Sequence, residues 1–395
     1  MLKKIFNRAR NSSLISTLTL SIFLLFFYLY QDFSSWPLID YVNSQGPFVY
    51  VDTHTVLLYA NCFSQIGNAV FAEGATCAGW TYGSGILRVL NFTGVTQENV
   101  NLIGHFFTYS IVFTFVYYLY LARNVKLAQI ALFLGFTSPP IWLIMERANF
   151  DTLIYLMVFV SAILFIKNLE TLSILILLLS ATFKFYTLPL LVIPFLLSKK
   201  FNTKISSVLA LITGLSFILL DLSKMTGVIL QAGNNHFGMK IIGNYLGKVG
   251  ISLNNYSSYF LGSFLFLICI LFFFYVLRKR EPVVLQMHLF SEPIKTIFIF
   301  MSSTFLLCFI VGLNVDYRLI FYIASAPYLM IVLRSSLRYI VFGIFIIGCW
   351  LCYPFGIFQT IGDLALELVA ALQLIITLYA LFLKKNRLNL SRILT

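Results

Sequence analysis

The sequence predicts an all-α polytopic membrane protein of about 12 transmembrane helices, and three observations lead there. Hydrophobic residues make up 60% of the 395-residue chain and charged residues only 10%, whereas a soluble domain carries roughly 25% charge to cover its surface. Apolar runs approaching the ~20 residues that a helical crossing needs recur along the whole length. The basic residues come in short clusters between those runs. The formal net charge of +13 therefore reads as membrane topology, not as a nucleic-acid groove.

Lys3, Lys4, Arg8 and Arg10 precede the apolar run Ser13–Tyr30, an arrangement like a signal peptide. The run is too long, and no small-x-small cleavage site follows it, so it reads as an uncleaved first helix. In order, the candidate spans are 13–30, 103–122, 127–145, 152–167, 171–183, 185–198, 205–221, 256–277, 296–313, 319–333, 339–353 and 363–383. The fifth and sixth are short, about 14 residues each, and also read as one tilted helix interrupted by Lys184.

Charge distribution decides between the two. With two crossings, 20 of the 27 basic residues fall on the cytoplasmic side, among them Arg123, Lys199, Lys200, Arg278, Arg334 and Lys384. With one, every cluster from Lys199 onward lands outside. Two short crossings also place 11 of the 14 acids on the outer face, leaving Glu170, Glu281 and Glu292 inside.

The chain is then one integral domain, 1–395, in the inner (plasma) membrane with both termini cytoplasmic. Its first outer loop, 31–101, is long enough for short helices, and a second outer loop covers 222–255. Internal repeats, low-complexity tracts and linkers are absent. The cytoplasmic loop 281–293 is too small for a catalytic domain, so chemistry belongs to the outer face.

Four polar clusters sit at the outer ends of these spans. Asp52 precedes the apolar run Val56-Leu57-Leu58-Tyr59; it suits a general base and equally the N-cap of a helix. Glu146-Arg147-Ala148-Asn149-Phe150-Asp151 is dense with polar groups for a turn between apolar helices, though interfacial caps look the same. Lys184 breaks an apolar stretch where an ionisable group is costly, and its point charge suits a phosphate unless it simply snorkels to headgroups. In Asn314-Val315-Asp316-Tyr317-Arg318, Arg318 suits bidentate phosphate binding with Asp316 orienting it, or a self-contained ion pair.

Tyr82, in the turn Tyr82-Gly83-Ser84-Gly85, and His236, in the Gly- and Asn-rich second outer loop, are further pocket candidates. Cys62 and Cys77 share the first outer loop and predict a disulfide. The remaining cysteines lie in or at spans as small apolar residues. The four histidines form no metal-ligand spacing, and there is no Walker loop, dinucleotide fingerprint or HExxH.

Several short pieces, in this order and on this face, resemble the GT-C class of polyprenyl-phosphate-sugar-dependent glycosyltransferases. The nearest likeness is to bacterial polyprenol-phosphate-mannose transferases and a mannosyltransferase-like family. The pieces are Asp52 with Tyr59-Ala60-Asn61-Cys62, Cys77 leading to Tyr82-Gly83, the Glu146–Asp151 cluster, Phe183-Lys184-Phe185-Tyr186, and Asp316-Tyr317-Arg318. The resemblance implies a GT-C-like fold and an inverting transfer of a sugar to an acceptor hydroxyl, with Asp52 as base. It further implies a donor phosphate met by Arg147, Lys184 and Arg318, and a pocket completed by Glu146, Asn149, Asp151, Asp316, Tyr317 and Tyr82, to which the loop reading adds His236.

Partners would be a polyprenyl-phosphate sugar, a glycan or glycolipid acceptor and membrane lipid, with no nucleic acid. The chain departs from that class in two ways. Ala148 stands where glycine is common, and the first loop lacks a paired acid, which leaves a divalent metal open although no ligand set is legible. Two other classes compete. A transporter or flippase of a lipid-linked sugar places its charges near the midplane and often repeats its halves. An O-antigen ligase or polymerase uses large late loops.

Overall fold

A computed structural model describes residues 50–71, 83–222, 236–237, 255–280, 292–311, 314–315, 318–333, 335–351 and 356–382. These form helices almost throughout. In chain order they are α1 (Val51–Ile66), α2 (Ser84–Thr93), α3 (Val100–Leu121), α4 (Lys126–Phe136), α5 (Pro139–Arg147), α6 (Asp151–Ile166) and α7 (Glu170–Phe183). After a 3-10 segment, Phe185–Leu191, come α8 (Val192–Leu197), α9 (Phe201–Leu222), α10 (Asn255–Arg280), α11 (Glu292–Val311), α12 (Leu319–Val332), α13 (Ser335–Leu351) and α14 (Gly356–Phe382). The strands among the described residues are two-residue pieces, β1 (His236–Phe237) antiparallel to β2 (Asn314–Val315), with His236 opposite Val315. That pairing brings part of the predicted second outer loop beside the entry to Arg318.

Described helices lie in eleven of the predicted spans; the span 13–30 and residues 312–313, 352–353 and 383 lie outside the described residues. Length separates them. Five stretches are long and apolar enough to cross a membrane: Gln97–Leu121, Phe201–Asp221, Phe260–Leu277, Pro293–Ile310 and Gln359–Phe382. The pair α4 and α5, bent by 49°, makes a sixth. The chain is thus an α-helical, membrane-embedded protein. The helices Asp151–Ile166, Glu170–Phe183, Phe185–Leu197, Leu319–Val332 and Leu337–Leu351 are apolar but shorter. At 1.5 Å per residue, a 14-residue helix such as α12 spans about 21 Å, short of a ~30 Å hydrocarbon layer. Every residue of α12 is buried, as fits a helix that is apolar all round.

Two breaks shape the bundle. Pro139 and Pro140 open α5 after Ser138; proline lacks the N–H that would continue α4 and its ring favours a first turn. Trp142 Nε1 then donates to the carbonyl of Thr137 (3.0 Å), and Trp350 Nε1 to that of Leu134 (3.0 Å), satisfying groups near the bend. The second break is Lys184, in extended backbone between α7 and the 3-10 segment. Beyond it the chain turns back. Ser198 and Thr203 both donate to Glu170 Oε2, at 2.5 and 2.6 Å, so the end of 185–198 lies beside the start of α7. The stretch 171–198 is a hairpin of two short segments, not one tilted helix.

Candidate functional site

The hairpin turn at Lys184, the α5–α6 junction, the start of α12 and the first turn of α1 meet at one end of the bundle. Each is a helix terminus, where backbone groups lack intrahelical partners and polar side chains are favoured.

The α5–α6 junction turns on two residues. Ala148 ends α5 in the left-handed region, φ 44 and ψ 50, and a side chain there carries strain. Its carbonyl accepts from Thr53 Oγ1 (2.5 Å), and the carbonyl of Glu146 accepts from the Tyr50 N–H (2.9 Å). These two bonds lay the start of α1 across the junction. Tyr50 is itself left-handed, φ 65, and its ring occupies space that a Cβ at Gly104 would invade at 2.3 Å.

Asp52 does not cap α1. The N-cap is Tyr50, without a side-chain cap, and Asp52 sits in the first turn. Its carboxylate reaches across to Arg147, whose Nε lies 3.0 Å from both oxygens and whose Nη2 lies 2.5 Å from Oδ1. Asn149 Nδ2 donates to Oδ2 at 2.5 Å. The same amide then accepts the Asp151 backbone N–H on its oxygen, at 2.7 Å.

Asp151 is the second anchor. Lys184 Nζ lies 3.0 Å from Oδ1, Arg318 Nε 3.0 Å from Oδ2, and Tyr186 donates its hydroxyl to Oδ1 at 2.6 Å. The Arg318 guanidinium also lies over the Tyr186 ring, 5.1 Å from its centroid. Asp151 begins α6 ahead of the predicted span 152–167. Burial pushes its carboxyl up, but Arg318 and Lys184 together outweigh that and hold it down to about 2. It stays ionised.

The two acids differ in access. The side chains of Asp52 and Arg147 are 16% and 22% exposed, whereas those of Asp151, Lys184 and Arg318 are 0%, 6% and 11%. The arrangement is one hydrogen-bonded chain with an open carboxylate at one end and a sealed one at the other.

Of the residues singled out from sequence, Asp52, Glu146, Arg147, Asn149, Asp151, Lys184 and Arg318 gather here. The Glu146 side chain is buried within reach of Arg147 and Asp52. Tyr82, Asp316 and Tyr317 lie outside the described residues, as does the His236 side chain. Cys62 is disulfide-bonded; Cys77 lies outside the described residues. No three His, Cys, Asp or Glu groups among the described residues are placed to share a metal.

Sequence reasoning gave no role to Tyr186 or Asp221. Asp221, at the end of α9, accepts from the Ser84 backbone N–H (2.7 Å) and Ser84 Oγ (2.8 Å), a carboxylate at the first turn of α2. Gly83 lies so close to Thr182 that a Cβ there would meet its carbonyl oxygen at 2.0 Å. The first loop is thereby docked against the chain two residues before Lys184. The position of Asp221 at the end of an apolar run was a signal for a helix-end partner, but nothing local points to Ser84.

No protein-family model, no curated protein and no solved structure matches the chain.

Proposed function

We propose that the chain is a glycosyltransferase that moves a sugar from a polyprenyl-phosphate donor to an acceptor hydroxyl on the outer face of the membrane. The observation that carries this reading is the contrast between its two central acids. Asp52 is the more open carboxylate, while Asp151 is sealed and neutralised by Lys184 and Arg318. One reachable carboxylate suffices for an inverting transfer with a phosphate leaving group, which departs without an acid catalyst.

In this mechanism Asp52 accepts the proton of the acceptor hydroxyl as its oxygen attacks the anomeric carbon. The bond from that carbon to the phosphate oxygen breaks, and polyprenyl phosphate leaves with the electron pair. Arg147, the most exposed of the three cations, meets the charge developing on the phosphate, its planar fork being suited to both partners. Lys184 and Arg318 act from behind, by holding Asp151 and with it the Asn149 link. An outward-facing transferase meets no nucleotide sugars, consistent with a chain lacking nucleotide-binding motifs.

Twelve crossings, cytoplasmic termini and an outward active site belong to the same proposal. The deciding experiment measures transfer of radiolabelled sugar from a polyprenyl-phosphate donor by the solubilised wild type and by Asp52→Asn. Loss of turnover by about 10²- to 10⁴-fold in a folded variant supports the base assignment. Equal activity would remove Asp52 from the chemistry. Absence of transfer with every lipid-linked sugar tried would favour the transporter class.

A further inference from the structure

The last helix carries a polar stripe that the site above does not use. Gln359, Asp363 and Glu367 recur every four residues along α14, which places them on one face. All three are buried, on a helix that packs against α10, α11 and α13. Glu367 is 4% exposed, and its Oε1 has no hydrogen-bond partner among the described residues. It lies within Gln359–Phe382, one of the stretches long and apolar enough to cross a membrane.

An ionised carboxylate is acceptor-only, and one buried in apolar surroundings without a donor is costly. Asp363 lies one helical turn away on the same face of α14. Acids at such depth characteristically line ion or proton sites. Structural capping does not explain Glu367, because it lies well inside α14 and its oxygen meets no N–H.

We propose that Asp363 and Glu367 bind one exchangeable monovalent cation, a proton or an alkali-metal ion, inside the α10–α14 side of the bundle. A calcium ion would need six to eight oxygens, and no set of three acidic, His or Cys ligands is grouped among the described residues. Among the side chains the structure describes, the titratable and charged groups on the packing helices are Cys269 and Tyr275 of α10, Lys295 and Cys308 of α11, and Arg338, Tyr339 and Cys349 of α13. Arg338 is engaged with the carbonyls of Leu333 and Ile331, and Cys308 faces the Asp151 cluster. The site shares no residue with the Asp52 cluster and does not depend on the transferase reading.

The test treats the full-length chain in detergent with dicyclohexylcarbodiimide, which modifies protonated carboxyls in apolar surroundings, and locates the adduct by peptide mass spectrometry. Reactions run from acid to alkaline pH, with sodium or potassium chloride against choline chloride. Modification of Glu367 that slows on adding an alkali ion at constant pH identifies a metal-ion site. Modification that falls about tenfold per pH unit above the titration point, with no response to alkali ions, identifies a proton site. No adduct at Glu367, or one formed equally under every condition, overturns the proposal. Glu367→Gln is the control for adduct assignment and must abolish the modified peptide.

Discussion

Asn149 ties Asp52 to the start of α6. Its amide donates to the Asp52 carboxylate at 2.5 Å while its oxygen holds the Asp151 backbone N–H at 2.7 Å. The acid from the first loop and the acid at the head of α6 therefore move as one unit, although 99 positions separate them in the chain.

Breaking that tie has a defined consequence. Asn149→Ala removes a hydrogen bond to a charged acceptor and strands the Asp151 N–H, which costs about 2 kcal/mol. A thermal melt in detergent should show the loss. Asn149→Asp should be worse, because a second carboxylate would face Asp52. A melt unchanged by both variants would refute the link.

The two carboxylates should respond differently to the same chemistry. Asp151→Asn leaves Lys184 and Arg318 buried beside a neutral amide, and removing one partner of a buried pair costs about 3–5 kcal/mol. Asp52→Asn, at a site 16% exposed, should cost about 1–2 kcal/mol and leave the fold intact. The pH dependence follows from the lowered Asp151 carboxyl. Its folded value lies below its unfolded one, near 3.9, so its contribution is complete above the unfolded value. It is lost as pH falls toward about 2. Acid titration of unfolding should therefore show a step between those values in the wild type that disappears in Asp151→Asn.

Much of the fold was legible because apolar run length is a local property. The spans 103–122, 152–167 and 319–333 fall within a few residues of α3, α6 and α12. The bend inside 127–145 was also written in the sequence, as Pro139-Pro140, but a hydropathy reading runs through it. The polar residues that gather at the helix ends were conspicuous as charges flanking apolar runs. Their pairing was not. Arg318 was matched with its neighbour Asp316, which lies outside the described residues, and nothing local pointed to its bond with Asp151, 167 positions away. Asp52 looked like a helix cap because capping is the local use of an aspartate, and only tertiary structure brings Arg147 to it. The left-handed turn at Ala148 that joins α5 to α6 has no local signal, because alanine gives no hint of that conformation.

That turn gives a stabilising prediction. A non-glycine residue in the left-handed region costs roughly 1 kcal/mol, and glycine adopts it without a Cβ clash. Ala148→Gly should raise the melting temperature despite its greater unfolded-state entropy, while Ala148→Val should lower it sharply. The Thr53 bond uses the backbone carbonyl of residue 148, so it survives both substitutions. A lower melting temperature for Ala148→Gly would show that the turn is not strained.

The disulfide at Cys62 bears on whether the first loop holds Asp52 in place. Cys62 is buried on α1, ten positions after Asp52, and its bond ties that helix to another part of the chain. Non-reducing peptide mapping should recover Cys62 joined to Cys77. Cross-linking of this kind stabilises by about 2–4 kcal/mol, chiefly by restricting the unfolded chain. Cys62→Ser, or reduction of the wild type, should lower the melting temperature, and reductant should have no further effect on the variant. Under the transferase reading, turnover should fall with reduction as well, because α1 carries the base. A reduced protein that melts and turns over like the oxidised one would place the control of Asp52 entirely in Arg147 and Asn149, whose bonds to it lie within the junction itself.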